Sequence, residues 1–312
     1  MGRNLYKYVS PEYINDVFAS ANLVTLKCSY PKDFNDPYEL FLAVDSKIEP
    51  NHLAFYSDVI GELPQRPTTC FSRSPTVIPM WAHYAQSMQG FVIEFDENCL
   101  SEHFPNSIFN DIEYRDTPNE DTFEWLHHAS VIGKPRYIYF LQNSVFSAAY
   151  FSKATSWSYE HERRMVVNDS AIRLSDESSM LIDVPKDCIK ALICGPKANT
   201  ETIKKVRKNA QELGCNYYEM KIGKGSVEPF FSDLEGNILS FNDVEIIKSS
   251  KTCRSCKEPL VSGLELCSWC RIEDSHREHA AQRNIFRVLA DRNLLSDYLD
   301  GMDEIGSKNR KN

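Results

Sequence analysis

The 312-residue chain predicts an α+β fold with one large domain and a small metal-stabilised appendage. Three observations support this. Strand-like segments outnumber helical ones and show no regular βαβ alternation, which argues against a doubly wound parallel sheet. The length exceeds that of an ordinary single domain, so one large unit plus an extra module is the default division. Ten cysteines are unevenly placed, with four crowded into Cys253-x2-Cys256-x10-Cys267-x2-Cys270. The predicted boundaries are a main domain over 1–247, a zinc ribbon or knuckle over 248–275, and a C-terminal helix and tail over 276–312.

The elements follow in order from local patterning. Leu5-Tyr6-Lys7-Tyr8-Val9 alternates as a short strand, and Ser10-Pro11-Glu12 then supplies an N-cap, an N1 proline and an acidic first turn for a helix to about Ser20. Leu23 to Cys28 reads as a second strand, and the cluster Pro31 to Pro37 as a turn. A helical stretch near 50–62 precedes a strand end at Thr68 to Ser72, a short helix over Pro79 to Ala85 and a central strand over Gly90 to Phe95. Residues 101–135 look irregular, and Lys134 to Ser147 mixes strand and helix signals. Leu181 to Val184 and Ala191 to Cys194 are strand-like, a helix from Thr200 to Leu213 stops at Gly214, and a strand follows over Asn216 to Ile222. From Ile272 onward a long helix is expected, with Ile285, Val288, Leu289, Leu295, Tyr298 and Leu299 on a recurring face. That face either packs on the main domain or forms a homodimer contact.

Composition narrows the function classes. An apolar fraction of 42% and a charged fraction of 25% are those of a globular protein with a real core, which excludes disorder as the main state. No run of about 18 apolar residues occurs and no signal-peptide pattern follows Met1, so a soluble, cytoplasmic protein is expected. From Lys248 onward, 12 Lys and Arg stand against 10 Asp and Glu, leaving −11 of the total −9 on the first 247 residues. An acidic main domain is a poor nonspecific nucleic-acid binder, so any such contact falls to the cysteine module. Each Cys-x2-Cys pair offers two thiolates from one tight turn, and two such turns complete a tetrahedral S4 site, expected to hold zinc, with a redox dithiol or a small iron–sulfur site as the alternatives; the metal would replace the core so few residues cannot build. The remaining cysteines, Cys28, Cys70, Cys99, Cys188, Cys194 and Cys215, are read as reduced core residues.

The densest chemistry lies in Trp157-Ser158-Tyr159-Glu160-His161-Glu162-Arg163-Arg164, which runs into Met165-Val166-Val167. The apolar run favours a strand, on which Glu160 and Glu162 share a face. Together with Leu5-Tyr6-Lys7-Tyr8, Phe34-Asn35-Asp36-Pro37, Cys70-Phe71-Ser72, Met80-Trp81-Ala82-His83-Tyr84 and Gly90 to Phe95, this segment resembles a bacterial family catalogued as domain of unknown function 2971, over about residues 5–200. That family name implies no activity.

The same order of motifs also resembles the ADP-ribosyltransferase superfamily: a basic-aromatic first strand, a Phe-Ser strand end, an aromatic helix and a late Glu-x-Glu. This resemblance implies a split β-sheet with helices and NAD as substrate. It places Lys7 and Tyr8 at the first-strand NAD contact, Ser72 and Tyr84 at the nicotinamide ribose, Glu162 at the catalytic position and Glu160 beside it as the acceptor-orienting group. Trp81 is a further candidate for stacking on nicotinamide, and Arg163 for the pyrophosphate. An acceptor macromolecule, protein or nucleic acid, would be reached through the zinc module, and a toxin or phage-defence effector would fit that pairing. Two other classes stay open. One is a non-enzymatic binding protein in which Glu160 and Glu162 merely pair with Arg163 and Arg164. The other is a metal-dependent nuclease using Glu94, Asp96, Glu160 and Glu162.

Overall fold

The computed structural model describes residues 3–37, 44–45, 47–61, 63–118, 120–176, 178–260 and 263–309. The chain forms two compact units: residues 1–223 with 227–249, and residues 224–226 with 250–312.

In the first unit the strands are β1 (Asn4–Val9), β2 (Leu23–Cys28), β3 (Thr68–Ser72), β4 (Phe91–Asp96), β5 (Ile108–Asp111), β6 (Glu113–Tyr114), β7 (Ser152–Lys153), β8 (Glu162–Val166), β9 (Arg173–Leu174), β10 (Met180–Pro185), β11 (Ile189–Cys194), β12 (Asn216–Lys221), β13 (Phe230–Ser232), β14 (Ile238–Phe241) and β15 (Ile246–Lys248). Its helices are α1 (Ile14–Val17), α2 (Pro50–Ile60), α3 (Ile78–Tyr84), α4 (Glu97–His103), α5 (Glu120–Ile132), α6 (Pro135–Tyr150) and α7 (Thr200–Leu213). Ten strands make one sheet in the order β15-β14-β13-β12-β11-β4-β1-β3-β8-β5, while β2-β10-β9 and β6-β7 form smaller sheets. The pairs of the large sheet are antiparallel except β11 with β12, which run parallel because α7 carries the chain back between them.

The α+β expectation holds, and the two-residue period of the central strands explains how the sheet is buried. Leu5 and Val9 of β1 join Phe91, Ile93 and Phe95 of β4 in one core, while Tyr6 and Tyr8 join Val92, Trp81 and Phe231 in a second. Apolar layers on both faces account for the nearly continuous apolar runs in β4 and β11. Each fully buried Phe, Leu or Ile in these layers contributes about 1.5–3 kcal/mol by the removal of apolar surface from water.

Several expectations are corrected. Residues 101–135 are not irregular: they finish α4 and form β5, β6 and all of α5, whose Leu126 and Ala129 pack with Leu141 and Val145 of α6 in a separate helical core. The first helix is shorter than expected, a 3-10 turn over Pro11–Tyr13 followed by the single turn of α1. Cys99 and Cys188 are joined in a disulfide rather than standing as separate reduced thiols. β4 and β11 are antiparallel neighbours, so the residues just after β4 and just before β11 meet at the same end of the pair, with a Cα–Cα distance of 5.2 Å.

In the second unit the four cysteines precede three helices, α8 (Asp274–Arg283), α9 (Ile285–Asp291) and α10 (Leu295–Asn309), where one long helix was expected. Asn284 breaks the first junction, since it leaves helical backbone at ψ 93° and its side chain caps α9 by accepting from the Arg287 N–H. Asn293, left-handed at φ 58°, breaks the second. The motif His276-x2-His279 supplies a cap here: His276 Nδ1 accepts from the Glu273 N–H at 3.1 Å.

Candidate functional site

A cleft of about 240 Å³ opens where β1 and β3 part. The two strands keep a single registered pair, Tyr6 with Ser72. Beyond it the Lys7 side chain reaches across to β3, with Nζ donating to Thr69 Oγ1 at 3.0 Å and to the Cys70 carbonyl at 2.8 Å. Burial pulls the Lys7 ammonium below its usual pKa, against the opposing pull of Cys70, Cys28 and Glu162.

Glu160 and Glu162 converge on this cleft from a segment that is only half strand. Thr155–Glu160 is a 3-10 helix, His161 is left-handed at φ 44° and ψ 47°, and β8 begins at Glu162. The expectation of one strand through the octapeptide is therefore corrected. Both carboxylates still meet, because the left-handed residue folds Glu160 back beside Glu162. Lys153 of β7 holds the pair together, its Nζ lying 2.7 Å from Glu160 Oε2 and 3.3 Å from Glu162 Oε2, with the Trp157 ring 4.6 Å away. Glu162 Oε1 accepts from Arg164 Nε at 2.8 Å, and its backbone N–H donates to the Tyr114 hydroxyl at 2.7 Å. Glu160 Oε1 accepts from the Tyr84 hydroxyl at 2.6 Å.

Two carboxylates, one ammonium and one guanidinium make a buried, charge-balanced cluster, yet its two acids differ. Burial pushes Glu160 above the ordinary carboxylate range, and Lys153 and Tyr84 only partly offset it. Burial acts on Glu162 too, but Arg164 and Lys153 outweigh it and hold the carboxyl at about 2. Tyr84 is raised by burial and by donating to Glu160.

The structure brings Lys7, Tyr8, Ser72, Tyr84, Glu160 and Glu162 to this one cleft. Trp81 and Arg163 lie outside it. The Trp81 indole is fully buried, donating Nε1 to the Pro75 carbonyl at 2.8 Å with its ring against Tyr8. Arg163 alternates with Glu162 and Arg164 along β8, so it emerges on the opposite face, where its guanidinium is paired to Glu97 and Asp111. Ser72 lines the cleft but spends its hydroxyl proton on the Glu160 carbonyl at 2.7 Å, which makes it a brace for the turn that carries Glu160.

Glu94 and Asp96 do not join Glu160 and Glu162. The Glu94 carboxylate accepts from Asn4 and Tyr6 on the far side of β1, with burial pushing it up to about 7, and Asp96 caps α4. No group of potential metal ligands among the described residues contains any of these four.

Sequence reasoning missed Lys153 and the roles of Phe34 and Asn35. Lys153 gave one signal, a lone cation after the apolar end of α6 and just before the octapeptide. Phe34 and Asn35, read as part of a turn and as one motif of the family resemblance, line the cleft, and the Phe34 ring covers the Arg164 guanidinium at 5.2 Å.

In the second unit the sulfurs of Cys253, Cys256, Cys267 and Cys270 all lie within 4.8 Å of one another and could hold a metal ion such as zinc. The Cys256 and Cys267 sulfurs are 3.7 Å apart, close to the ~3.8 Å edge of a tetrahedron with zinc–sulfur bonds of about 2.3 Å. Backbone N–H groups of Cys256 and Cys267 aimed at its sulfur hold the Cys253 thiol down to about 6. Cys267 N–H donates to Cys253 Sγ at 3.3 Å and Cys270 N–H to Cys267 Sγ at 3.4 Å.

The first unit is thus an α+β domain whose sheet opens onto a charge-balanced cleft. Residues 80–165 match the model of a family described as "Protein of unknown function (DUF2971)", a span that runs from α3 into β8 and includes Tyr84, Lys153, Glu160, Glu162 and Arg164. Neither the curated proteins nor the solved structures contain a match to the chain. No helix among the described residues is long and apolar enough to cross a membrane.

Proposed function

We propose that the first unit is an ADP-ribosyltransferase-like enzyme that breaks the nicotinamide–ribose bond of NAD and passes ADP-ribose to a macromolecular acceptor or to water. The observation that carries the reading is the pair of unequal carboxylates, Glu160 and Glu162, held on Lys153 and facing Tyr84 in the opening between β1 and β3. Breaking that bond builds positive charge on the ribose, and a carboxylate that stays ionised stabilises such a state more than the ground state. Glu162 is the group held ionised. Glu160, shifted upward, suits the exchange of a proton with the incoming nucleophile.

At about 240 Å³ the cleft is smaller than the ~300–1,000 Å³ of a typical ligand pocket, so it would take the nicotinamide-ribose end of the dinucleotide and leave the rest outside. Tyr84 is one aromatic on the cleft wall that would meet the nicotinamide, and Lys7 and Lys27 are cations on it that would meet the phosphates. The four-cysteine module, with structural zinc, would recognise the acceptor, protein or nucleic acid, and a toxin or antiviral-defence effector acting in the cytoplasm would pair these parts in this way. α8 to α10 would supply a homodimer contact.

The test is nicotinamide release and transfer of labelled ADP-ribose by the full chain, in the presence of cell extract, against Glu162→Gln and Tyr84→Phe. Turnover that falls at least a hundredfold in Glu162→Gln supports the proposal. No turnover in the wild type, or a fully active Glu162→Gln, removes it and favours a binding protein.

A further inference from the structure

We propose that Cys99, His103 and Cys188 form a second, redox-controlled metal site, independent of the cleft and of the four-cysteine module. Cys99 and His103 are one helical turn apart on α4, so both side chains leave the same face of the helix. Cys188 ends the 3-10 turn Lys186–Cys188, and the antiparallel pairing of β4 with β11 brings it to that face. One donor atom from each residue lies within 4.8 Å of the other two.

Two sulfurs and an imidazole are the donors of a three-residue zinc site, whose fourth position is left to water or a ligand. Bonds of about 2.0–2.3 Å to zinc place such donors roughly 3.5–3.8 Å apart. With the sulfurs joined in the disulfide, reduction followed by small side-chain rotations would open that spacing without moving the backbone, the Cα atoms being 5.2 Å apart. His103 is exposed and Cys99 half-buried, so metal and oxidant both have a way in, while the buried Cys188 gives the site a fixed wall.

The two states exclude each other, because each thiolate can bind the metal or its partner sulfur. In the reduced chain the Cys99 and Cys188 thiolates and the neutral His103 imidazole hold Zn²⁺. A disulfide oxidant of the glutathione class takes two electrons from the two thiolates: the Cys99–Cys188 bond forms, the oxidant's sulfur–sulfur bond breaks to give two thiolates, and Zn²⁺ leaves. No proton is needed. Reduction by a dithiol runs the exchange backwards.

The test uses the full chain and counts zinc per chain after exhaustive removal of free metal. Fully reduced wild type holds two equivalents, His103→Ala and Cys188→Ser hold one, and treatment with oxidised glutathione takes the wild type from two to one while leaving Cys188→Ser at one. Substitution with Co²⁺ adds a readout: the reduced wild type shows tetrahedral d–d absorption roughly twice that of His103→Ala, which alters an exposed side chain and should leave thermal unfolding of the oxidised protein unchanged. A reduced wild type that holds only as much metal as His103→Ala, or a second equivalent that survives oxidation, overturns the proposal.

Discussion

Replacing Lys153 by Met keeps the length of the side chain and deletes the charge that Glu160 and Glu162 share. In the wild type this ammonium lies 2.7 Å and 3.3 Å from their carboxylates, and all three side chains are less than a tenth exposed, so solvent screens little of the interaction. Removing one partner of a buried ion pair costs about 3–5 kcal/mol, because the remaining charge is left uncompensated. Here two carboxylates are left facing each other, with Arg164 paired to Glu162. Glu160, already raised by burial, loses its nearest cation and rises further. The folded variant then holds a proton on Glu160 at pH values where the unfolded chain has released it, so stability falls as pH rises, by up to about 1.4 kcal/mol per pH unit while that difference lasts. Urea unfolding of wild type and Lys153→Met at pH 5 and pH 8 measures this. The expected loss is about 3–5 kcal/mol at pH 8 and distinctly less at pH 5, and adding Glu160→Gln should recover part of the loss at pH 8. A loss below about 1 kcal/mol, or one equal at the two pH values, would refute the account of the cluster as a buried, mutually neutralising set.

Arg164→Met is expected to destabilise the fold far more than Arg163→Met. The Arg164 side chain is fully buried, donating to Glu162 and to the Tyr150 carbonyl, so its loss leaves Glu162 with only the longer contact to Lys153 and the Tyr150 carbonyl without this donor, at a cost of about 3–5 kcal/mol. Arg163 and its first partner Glu97 keep 13% and 12% side-chain exposure, and its second partner Asp111 also pairs with Arg3 and Arg73. Equal shifts of the urea midpoint would contradict the assignment of the two arginines to opposite faces of β8. In the second unit, Cys253→Ser should lower bound zinc by about one equivalent and leave the urea transition of the first unit in place; unchanged zinc content would rule out the four-sulfur site.

The legibility of this fold in the sequence depended on which signals were local. β1, β4, β10, β11 and α7 were readable because their apolar periods, the Pro11 and Gly214 boundaries and the alternation at Tyr6-Lys7-Tyr8 are all contained in a few residues. The break at Asn293 was not, because nothing in the apolar face from Ile285 to Leu299 signals that one residue adopts φ 58°. α5 was hidden by its composition: Trp125, His127 and His128 read as irregular but fill a small aromatic cluster with Tyr137 of α6. The Cys99–Cys188 bond is a product of sheet order, joining residues 89 apart that only the β4–β11 pairing brings together. Arg163 was misplaced for a simpler reason, since a site drawn from adjacent residues ignores that a strand sends neighbours to opposite faces.

The two glutamates were found for a reason that the fold does not use. Their spacing suggests a shared strand face, whereas the structure joins them through a left-handed His161 that ends a 3-10 helix and starts β8. That difference separates their surroundings. Had both stood on one strand, each would have met the same neighbours and their acidities would have stayed close. Instead Glu162 sits in β8 beside Arg164 and is held at about 2, while Glu160 sits on the turn, shares Lys153, meets a neutral Tyr84 hydroxyl and is driven upward by burial. Two carboxyl groups pushed apart in this way divide the labour of a site into a fixed charge and a proton carrier. The backbone at residue 161 therefore sets that division, and straightening it would remove the asymmetry while leaving both carboxylates in the chain.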